Sequence, residues 1–456
     1  MKNMSGMWKK LFRVDLTPTR CSSRGISSSI YDVVISGGGM VGAAAAAALG
    51  TGSLLKEKKV LWLESSAQRS YVPPSGYSNR VSALSPASKS FLQDLGAWSI
   101  IEDFGRVQPV SCMHVWDGCS EASITFSQPQ NLAYIVENDM TLHALDTIAA
   151  SSEVELAYET TAVEYITTDP YSTSVKLSTG DTVSAGLVIG ADGFKSLARQ
   201  SAGINTLSWG YDQVGVVATL KLGSQEGDNT TAWQRFLPTG PIAVLPISSD
   251  SSSLVWSTNP SHAKSLLSLT PESFVDAVNR ALHEESSKDG VVSLFTHQFR
   301  KILSSLLATD ATNQSSPKLP PTVLEVQEGS RASFPYGMMH ADKYVAPRLA
   351  LVGDACHRMH PLAGQGVNAG FGDVECLVRT LTAAISIGSE IGRLYSLTGY
   401  ETERQRHVVS IIAGVDGLYR LYSNNWTPAV LIRSIGLMGV NALPFIKKSL
   451  MNHAQS

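Results

Sequence analysis

Tyr31-Asp32-Val33-Val34-Ile35-Ser36 runs directly into Gly37-Gly38-Gly39-Met40-Val41-Gly42 and then into the alanine-rich stretch Ala43–Leu49. An apolar strand, a G-x-G-x-x-G loop and a helix-forming run in immediate succession constrain the fold more than any other feature of the chain. They form the opening unit of a Rossmann-like α/β sheet. Gly37 permits the tight turn, Gly39 lets a pyrophosphate approach the backbone, and Gly42 lets helix and strand pack closely. Val60-Leu61-Trp62-Leu63 reads as the next strand and ends at Glu64, 22 residues beyond Gly42. An acid at that offset accepts hydrogen bonds from an adenosine ribose. These residues do not separate FAD from NAD.

A second stretch, Arg348–Asn368 (RLALVGDACHRMHPLAGQGVN), does. Leu349–Val352 is wholly apolar, a strand buried on both faces. Gly353 and Asp354 stand at its carboxyl end, where open α/β sheets bind ligands. The loop that follows holds Pro361, Gly364, Gln365, Gly366 and Asn368, and Phe371, Val374, Leu377, Val378, Leu381 and Ile385 then recur at helical spacing. An acid suits the hydroxyls of a ribityl chain. Bare amides at a helix N-terminus suit an anion, and a reduced flavin carries negative charge near N1 and the C2 carbonyl. FAD is the expected cofactor. Leu187-Val188-Ile189 leading into Gly190-Ala191-Asp192-Gly193 repeats the arrangement, so Asp192 reads as a second acid beside the cofactor, with Arg199 as its companion. Arg80, in YSNRVSAL, is a candidate for the pyrophosphate or the active-site lining, since arginine pairs bidentately with phosphate. Cys356 reads as a small apolar packer, and His357 and His360 as loop-packing residues rather than proton relays.

At 456 residues, 43% hydrophobic and 16% charged, the chain has the composition of a large-cored globular protein with room for two or three domains. A net charge of −3 excludes the basic surface that nucleic acid requires. Residues 1–30 hold six basic residues (Lys2, Lys9, Lys10, Arg13, Arg20, Arg24), six serines and one acid, Asp15, leaving 30 basic and 38 acidic residues in the remainder. Trp8, Leu11 and Phe12 share one helical face, so residues 1–30 read as a mitochondrial transit peptide. Five cysteines without metal spacing indicate reduced thiols, and no metal site is expected.

The expected domains are discontinuous. Residues 31–207 supply the first part of the FAD-binding domain, lending strands near 108–135 to a second domain. Residues 208–338 form that second domain, where Val214–Leu220, Thr231–Phe236, Ile242–Pro246 and Leu254–Ser257 are β-rich runs parted by Gly, Pro and Ser. Such spacing predicts a mainly antiparallel sheet, interrupted by a flexible insertion at 308–322. Ser330–Phe334 is the expected return strand, residues 339–398 complete the cofactor domain, and 399–456 is helical. Within it, Trp426–Ile446 is mostly apolar but broken by Pro428, Arg433 and Pro444, and reads equally as a packed helix or as a surface touching a membrane or partner.

Gly37–Gly42, Gly190–Arg199 and Gly353–Asn368 resemble, in order and spacing, the three fingerprints of class A flavoprotein monooxygenases, whose fold is of the p-hydroxybenzoate hydroxylase type. YSNRVSALSP, YIVEND (Tyr134–Asp139), AWQRFLPTGPIAVLP (Ala232–Pro246), SSLVWST (Ser252–Thr258) and LTGYETERQRH (Leu397–His407) narrow the resemblance to the mitochondrial ubiquinone-biosynthesis monooxygenase family. Phe194 and Cys356 depart from the expected pattern at positions whose side chains the chemistry does not need. The resemblance implies C5-hydroxylation of 3-polyprenyl-4-hydroxybenzoate with O2 through a flavin C4a-hydroperoxide, and allows a later hydroxylation of 2-methoxy-6-polyprenylphenol. It implies Pro361 and the Gly364–Gly366 loop against the flavin ring, Asp354 on the ribityl hydroxyls, Glu64 on the ribose and Arg80 on the pyrophosphate. It further implies electrons from ferredoxin and its reductase, a complex with other ubiquinone-biosynthesis enzymes, and peripheral contact with the matrix side of the inner membrane. Two other readings stay open on sequence: an NAD(P)H-dependent hydroxylase or epoxidase of another lipid or aromatic compound, and a flavin-bearing scaffold.

Overall fold

The computed structural model describes residues 29–68, 71–224, 227–284, 319–423 and 426–443, with Thr296, Gln298 and Lys447. The expected transit peptide, apart from its last two residues, and most of the 308–322 insertion lie outside the described residues.

The first sheet has a parallel core ordered Leu349–Leu351, Thr182–Gly190, Ile30–Ser36, Val60–Leu63 and Glu155–Ala157. Val345–Ala346 and the Ala162–Asp169/Ser172–Leu177 hairpin add antiparallel pairings. The core strands are Val-, Ile- and Leu-rich because helices cover them: Val33, Val34, Ile35 and Leu61 are fully buried. The Met40–Thr51 helix has alanines at 43–48 and is apolar all round, so it buries nearly all of itself between sheet and neighbouring helices. The register sets Ser36 beside Leu63 and Gly190, and Gly190 beside Leu351. Four strand ends therefore finish level along one edge, and each delivers its loop there.

The second sheet has nine strands: His357–Arg358, Ala332–Ala341, Thr206–Leu222, Ser251–Thr258, Gly240–Pro246, Thr231–Leu237, Cys112–Asp117 and Ser123–Ser127 in order, with Val323–Val326 also on Thr206–Leu222. All pairings are antiparallel except Thr231–Leu237 with Cys112–Asp117. Phe274, Val278 and Leu282, from the Pro271–His283 helix, close one face against Val216, Leu220, Trp233 and Trp256. Two strands outrun their predicted spans. Thr206–Leu222 extends well before Val214, and Ala332–Ala341 runs past Phe334. Pro335 sits opposite Val214 where the register shifts, an irregularity that tolerates a residue with no N–H to give.

Helices Gly366–Ser386, Leu394–Tyr422 and Thr427–Ala442 follow. The first packs between the Met40–Thr51 helix and Leu394–Tyr422, and the last lies against Ser123–Ser127 of the second sheet. Among the described residues no helix is long and apolar enough to cross a membrane.

Candidate functional site

The fingerprint glycines are required for three different reasons. Gly37 has φ +117°, and a Cβ there would lie 2.3 Å from the Ala191 carbonyl oxygen. At Gly42 a Cβ would come within 1.9 Å of the Gly37 oxygen. Gly39 differs: its φ of −69° suits any residue, and a Cβ there meets no protein atom within 4 Å. The protein fold has no need of glycine at 39, so the need belongs to what approaches the loop. Glu64 accepts hydrogen bonds from the Ser66 N–H and the Ser65 hydroxyl through Oε1. Its Oε2 lies so close over Gly38 that a Cβ there would come within 1.3 Å. A Cβ at Gly38 would therefore displace the Glu64 carboxylate, a constraint visible only once Glu64 is folded over it.

Asp192 and Asp354 arrive at the same edge. Asp192 Oδ2 accepts from the Ala198 N–H at 3.0 Å, while its buried Oδ1 has no protein partner. Arg199 spans the two loops, donating to the Ala355 and Phe194 carbonyls at 2.7 and 2.8 Å. Asp354 is exposed at the strand end but ringed by protein. That crowding pushes its carboxyl above the ordinary aspartate range, against the pull of His357 and Arg358.

Gly353, in the left-handed region at φ +59°, turns the chain toward Asp354, and its N–H donates to Asp373 Oδ2 at 3.0 Å. Asp373 is fully buried, meets His357 Nε2 at 2.6 Å and accepts from Arg404 Nε at 2.7 Å. Burial alone would raise its carboxyl, but His357 and Arg404 hold it below the usual range. Cys356, His357 and Asp373 bring three ligand-type atoms within 4.8 Å of one another, yet the Arg404 cation occupies the carboxylate a metal would need. This network was not legible as a site in the sequence. Its one signal is an aspartate and an arginine on otherwise apolar helical stripes.

The loop after His360 is fixed from both sides. His360 Nδ1 accepts from the Leu362 N–H at 3.1 Å, and Nε2 meets Gln213 Oε1 at 3.3 Å. Burial among Tyr211, Tyr336 and Tyr419 lowers its pKa to about 4, keeping the ring neutral. Asn368 spends its whole side chain on the protein: Oδ1 accepts from Ser85 N–H and Ser88 hydroxyl, and Nδ2 donates to the Ala83 and Gly364 carbonyls. Expected as a cofactor contact, Asn368 uses its side chain to tie the loop to the Val81–Leu84 strand end and to Ser85 and Ser88. Pro361–Ala363 is a single 3-10 turn, Gly364 follows at φ +61°, and Gln365 precedes the Gly366–Ser386 helix without capping it by its side chain. The helix therefore opens with backbone N–H groups unclaimed by a side-chain cap. The Arg80 side chain is exposed, and among the described residues its backbone is engaged with Ser78 and Asn138. Leu362 faces away into an apolar cluster with Met113, Phe126, Phe236, Leu437 and Val440.

These features fit FAD: an unobstructed loop at Gly39, an acid at each of three strand ends, an orphaned buried oxygen on Asp192, and an amide-rich turn before a 21-residue helix. Comparisons with known proteins agree. The family profile described as FAD binding domain matches residues 30–303 and 304–414. The structure resembles Pseudomonas aeruginosa PqsL in complex with 2-aminobenzoylacetate (TM-score 0.66, 20% identity, 90% of this chain and 100% of that one). It also resembles p-nitrophenol 4-monooxygenase PnpA of Pseudomonas putida (TM-score 0.65, 16% identity, 94% and 98%). Ubiquinone biosynthesis monooxygenase COQ6, mitochondrial, of Xenopus tropicalis is 46% identical over 452 residues, 96% of each chain. The proteins of that name from Homo sapiens and Saccharomyces cerevisiae are 45% and 31% identical, each covering 94% of this chain and 93% and 95% of theirs. With that likeness running almost end to end, the chain is an FAD-dependent monooxygenase and belongs to the ubiquinone biosynthesis monooxygenase family.

Proposed function

We propose that the chain hydroxylates ring carbon 5 of 3-polyprenyl-4-hydroxybenzoate in ubiquinone biosynthesis. The observation that carries this reading is the loop at Pro361–Gly366. One side offers backbone amides, and the other, through Leu362, joins an apolar cluster between the second sheet and the last two helices. An anionic flavin ring suits the first side and a prenyl-bearing phenol suits the second. When bound, FAD supplies the oxygen activation, which no side chain provides. The chain's own residues do the rest. Glu64 holds the ribose and Gly39 admits the pyrophosphate. Asp354 and Asp192 take ribityl hydroxyls, and Arg80 neutralises phosphate. His360, neutral and packed, holds Leu362 and the amide turn still. Mass spectrometry of quinone intermediates in cells lacking the protein tests the reading. Accumulation of the 3-polyprenyl-4-hydroxybenzoate series supports it, and a normal ubiquinone pool with no intermediate removes it.

The same reading places the enzyme at the matrix side of the mitochondrial inner membrane, beside other enzymes of the pathway, with electrons from ferredoxin and its reductase. Residues 1–30 then direct import, and a reporter carrying them should reach mitochondria. Anaerobic stopped-flow at the flavin absorbance tests the electron source. Slow bleaching by NADPH alone and fast bleaching with ferredoxin and its reductase are expected. Fast bleaching by NADPH alone would place the enzyme in the NAD(P)H-dependent class.

A further inference from the structure

Two side chains reach the buried His360 ring from an irregular stretch of the Thr206–Leu222 strand. Between the Gly210–Gly337 and Val214–Pro335 pairs, Tyr211, Asp212 and Gln213 stand opposite Tyr336 alone. A bulge of this kind bends a strand and re-aims its side chains. Asp212 is exposed, whereas Tyr211 and Gln213 are both buried. Tyr211 packs edge-on to His360 with ring centres 4.8 Å apart, and Gln213 Oε1 lies 3.3 Å from His360 Nε2. Gly240 makes room for the Gln213 amide. Its φ is +129°, and a Cβ there would lie 2.9 Å from Gln213 Nε2 and 2.3 Å from the Ser257 carbonyl oxygen.

The hydrogen bonds define one tautomer of the ring. His360 Nδ1 accepts from the Leu362 N–H, so the proton of the neutral imidazole is on Nε2, where it donates to Gln213 Oε1. A carboxamide oxygen accepts that proton without adding charge. A carboxylate in its place would favour the imidazolium, whose Nδ1 carries a proton and can accept nothing. Around the ring stand Tyr211 and Gln213 from one strand, Tyr336 from Ala332–Ala341, and Tyr419 and Asp416 from Leu394–Tyr422. Asp416 is the charged member of this set, and it is engaged by the Tyr211 hydroxyl and by Arg420.

We infer that Gln213 is a positioning residue for the flavin site: by accepting from the His360 Nε2–H it leaves Nδ1 to the Leu362 N–H, and so holds the Pro361–Ala363 turn in shape. The inference rests on the proposal that this turn meets the flavin ring, and adds a residue that lies outside all three fingerprints. The test uses the full chain. In flavin-free protein labelled with 15N-histidine, comparison with His360→Asn identifies the His360 ring signals. Wild type should show a neutral Nε2–H ring from pH 7.5 to pH 5. Gln213→Glu should raise the pKa of that ring from about 4 to about 6. About one ring in eleven would then stay neutral at pH 5, so between pH 7.5 and pH 5 the Kd for FAD should rise about tenfold more than in wild type. Gln213→Glu/His360→Asn retains an oxygen that can accept from Leu362 but has no ring to protonate, and should lose that excess pH dependence. A Gln213 that merely fills space would give no such rescue. Gln213→Leu, which introduces no charge, should weaken FAD binding severalfold at both pH values. An unchanged His360 titration in Gln213→Glu, or wild-type FAD affinity in Gln213→Leu, overturns the positioning role of Gln213. A raised His360 pKa with no change in FAD affinity overturns it by another route: the Gln213–His360 pair stands, and the turn is refuted as a flavin contact.

Discussion

Asp373 offers the sharpest energetic test of how the flavin site is held. Asp373→Leu removes a fully buried carboxylate with partners at 2.6 Å (His357 Nε2), 2.7 Å (Arg404 Nε) and 3.0 Å (Gly353 N–H). It leaves the buried Arg404 cation with only the Ala369 carbonyl, 3.1 Å away, from this neighbourhood. Breaking one partner of a buried pair costs about 3–5 kcal/mol. Replacing both charges, as Asp373→Leu/Arg404→Met, removes the uncompensated charge and leaves the Gly353 N–H as the main unpaired group, about 1–3 kcal/mol. The double variant should therefore be more stable than Asp373→Leu by roughly 2 kcal/mol. Urea denaturation at pH 7 measures this, and flavin content reports the Gly353–Asp354 turn at the same time. Both variants should bind FAD more weakly, because the turn loses its tether in each. A double variant no more stable than Asp373→Leu, or a single variant unfolding at the wild-type midpoint, would refute the network as an energetic unit.

Gly39→Val should lose FAD while keeping the wild-type denaturation midpoint of the flavin-free chain, since a Cβ at 39 meets no protein atom within 4 Å; Gly42→Val, which drives a Cβ into the Gly37 oxygen, should fail to accumulate folded protein. The His360 pKa, lowered to about 4 by burial, means that the unfolded chain binds a proton between roughly pH 6.5 and 4 that the folded chain does not. Its stabilising contribution is complete above pH 6.5 and lost as pH falls toward 4, about 3 kcal/mol in all, so unfolding free energies at pH 7 and pH 5 should differ less in His360→Phe than in the wild type. Asn368→Ala cuts three hydrogen bonds that tie the flavin loop to residues 83–88 and one within the loop to Gly364, and should cost about 1–3 kcal/mol with a raised Kd for FAD by titration.

What the sequence makes legible is local. Gly37, Gly39 and Gly42 stand between a readable strand and a readable helix, and Gly353–Asp354 ends a run too apolar to be anything but a buried strand. Their convergence also follows, because parallel strands put their ligand loops at one edge. What stays hidden depends on partners distant in the chain. Asp373 and Arg404 are 31 residues apart and meet only when two helices pack. Gly38 looks like a spare glycine until Glu64 folds over it. The long Thr206–Leu222 strand is masked by Ser208, Gly210 and Asp212, whose polar pattern reads as a linker although hydrogen bonding to Ala332–Ala341 carries the strand through. Asn368 is legible as a motif residue beside the cofactor loop, but its ties to Ser85, Ser88 and Ala83 appear only in the fold.

The central claim is that this chain inserts one oxygen atom from O2 into a prenylated phenol. The direct measurement is a single incubation of the FAD-loaded protein with 3-polyprenyl-4-hydroxybenzoate, ferredoxin, its reductase and NADPH under 18O2, with product mass and ring position read by mass spectrometry and NMR. The account predicts a product carrying one 18O at ring carbon 5, and no such product from the flavin-free Gly39→Val variant. Unchanged phenol with all reducing equivalents recovered as hydrogen peroxide, or a hydroxyl group carrying oxygen from water, would contradict it.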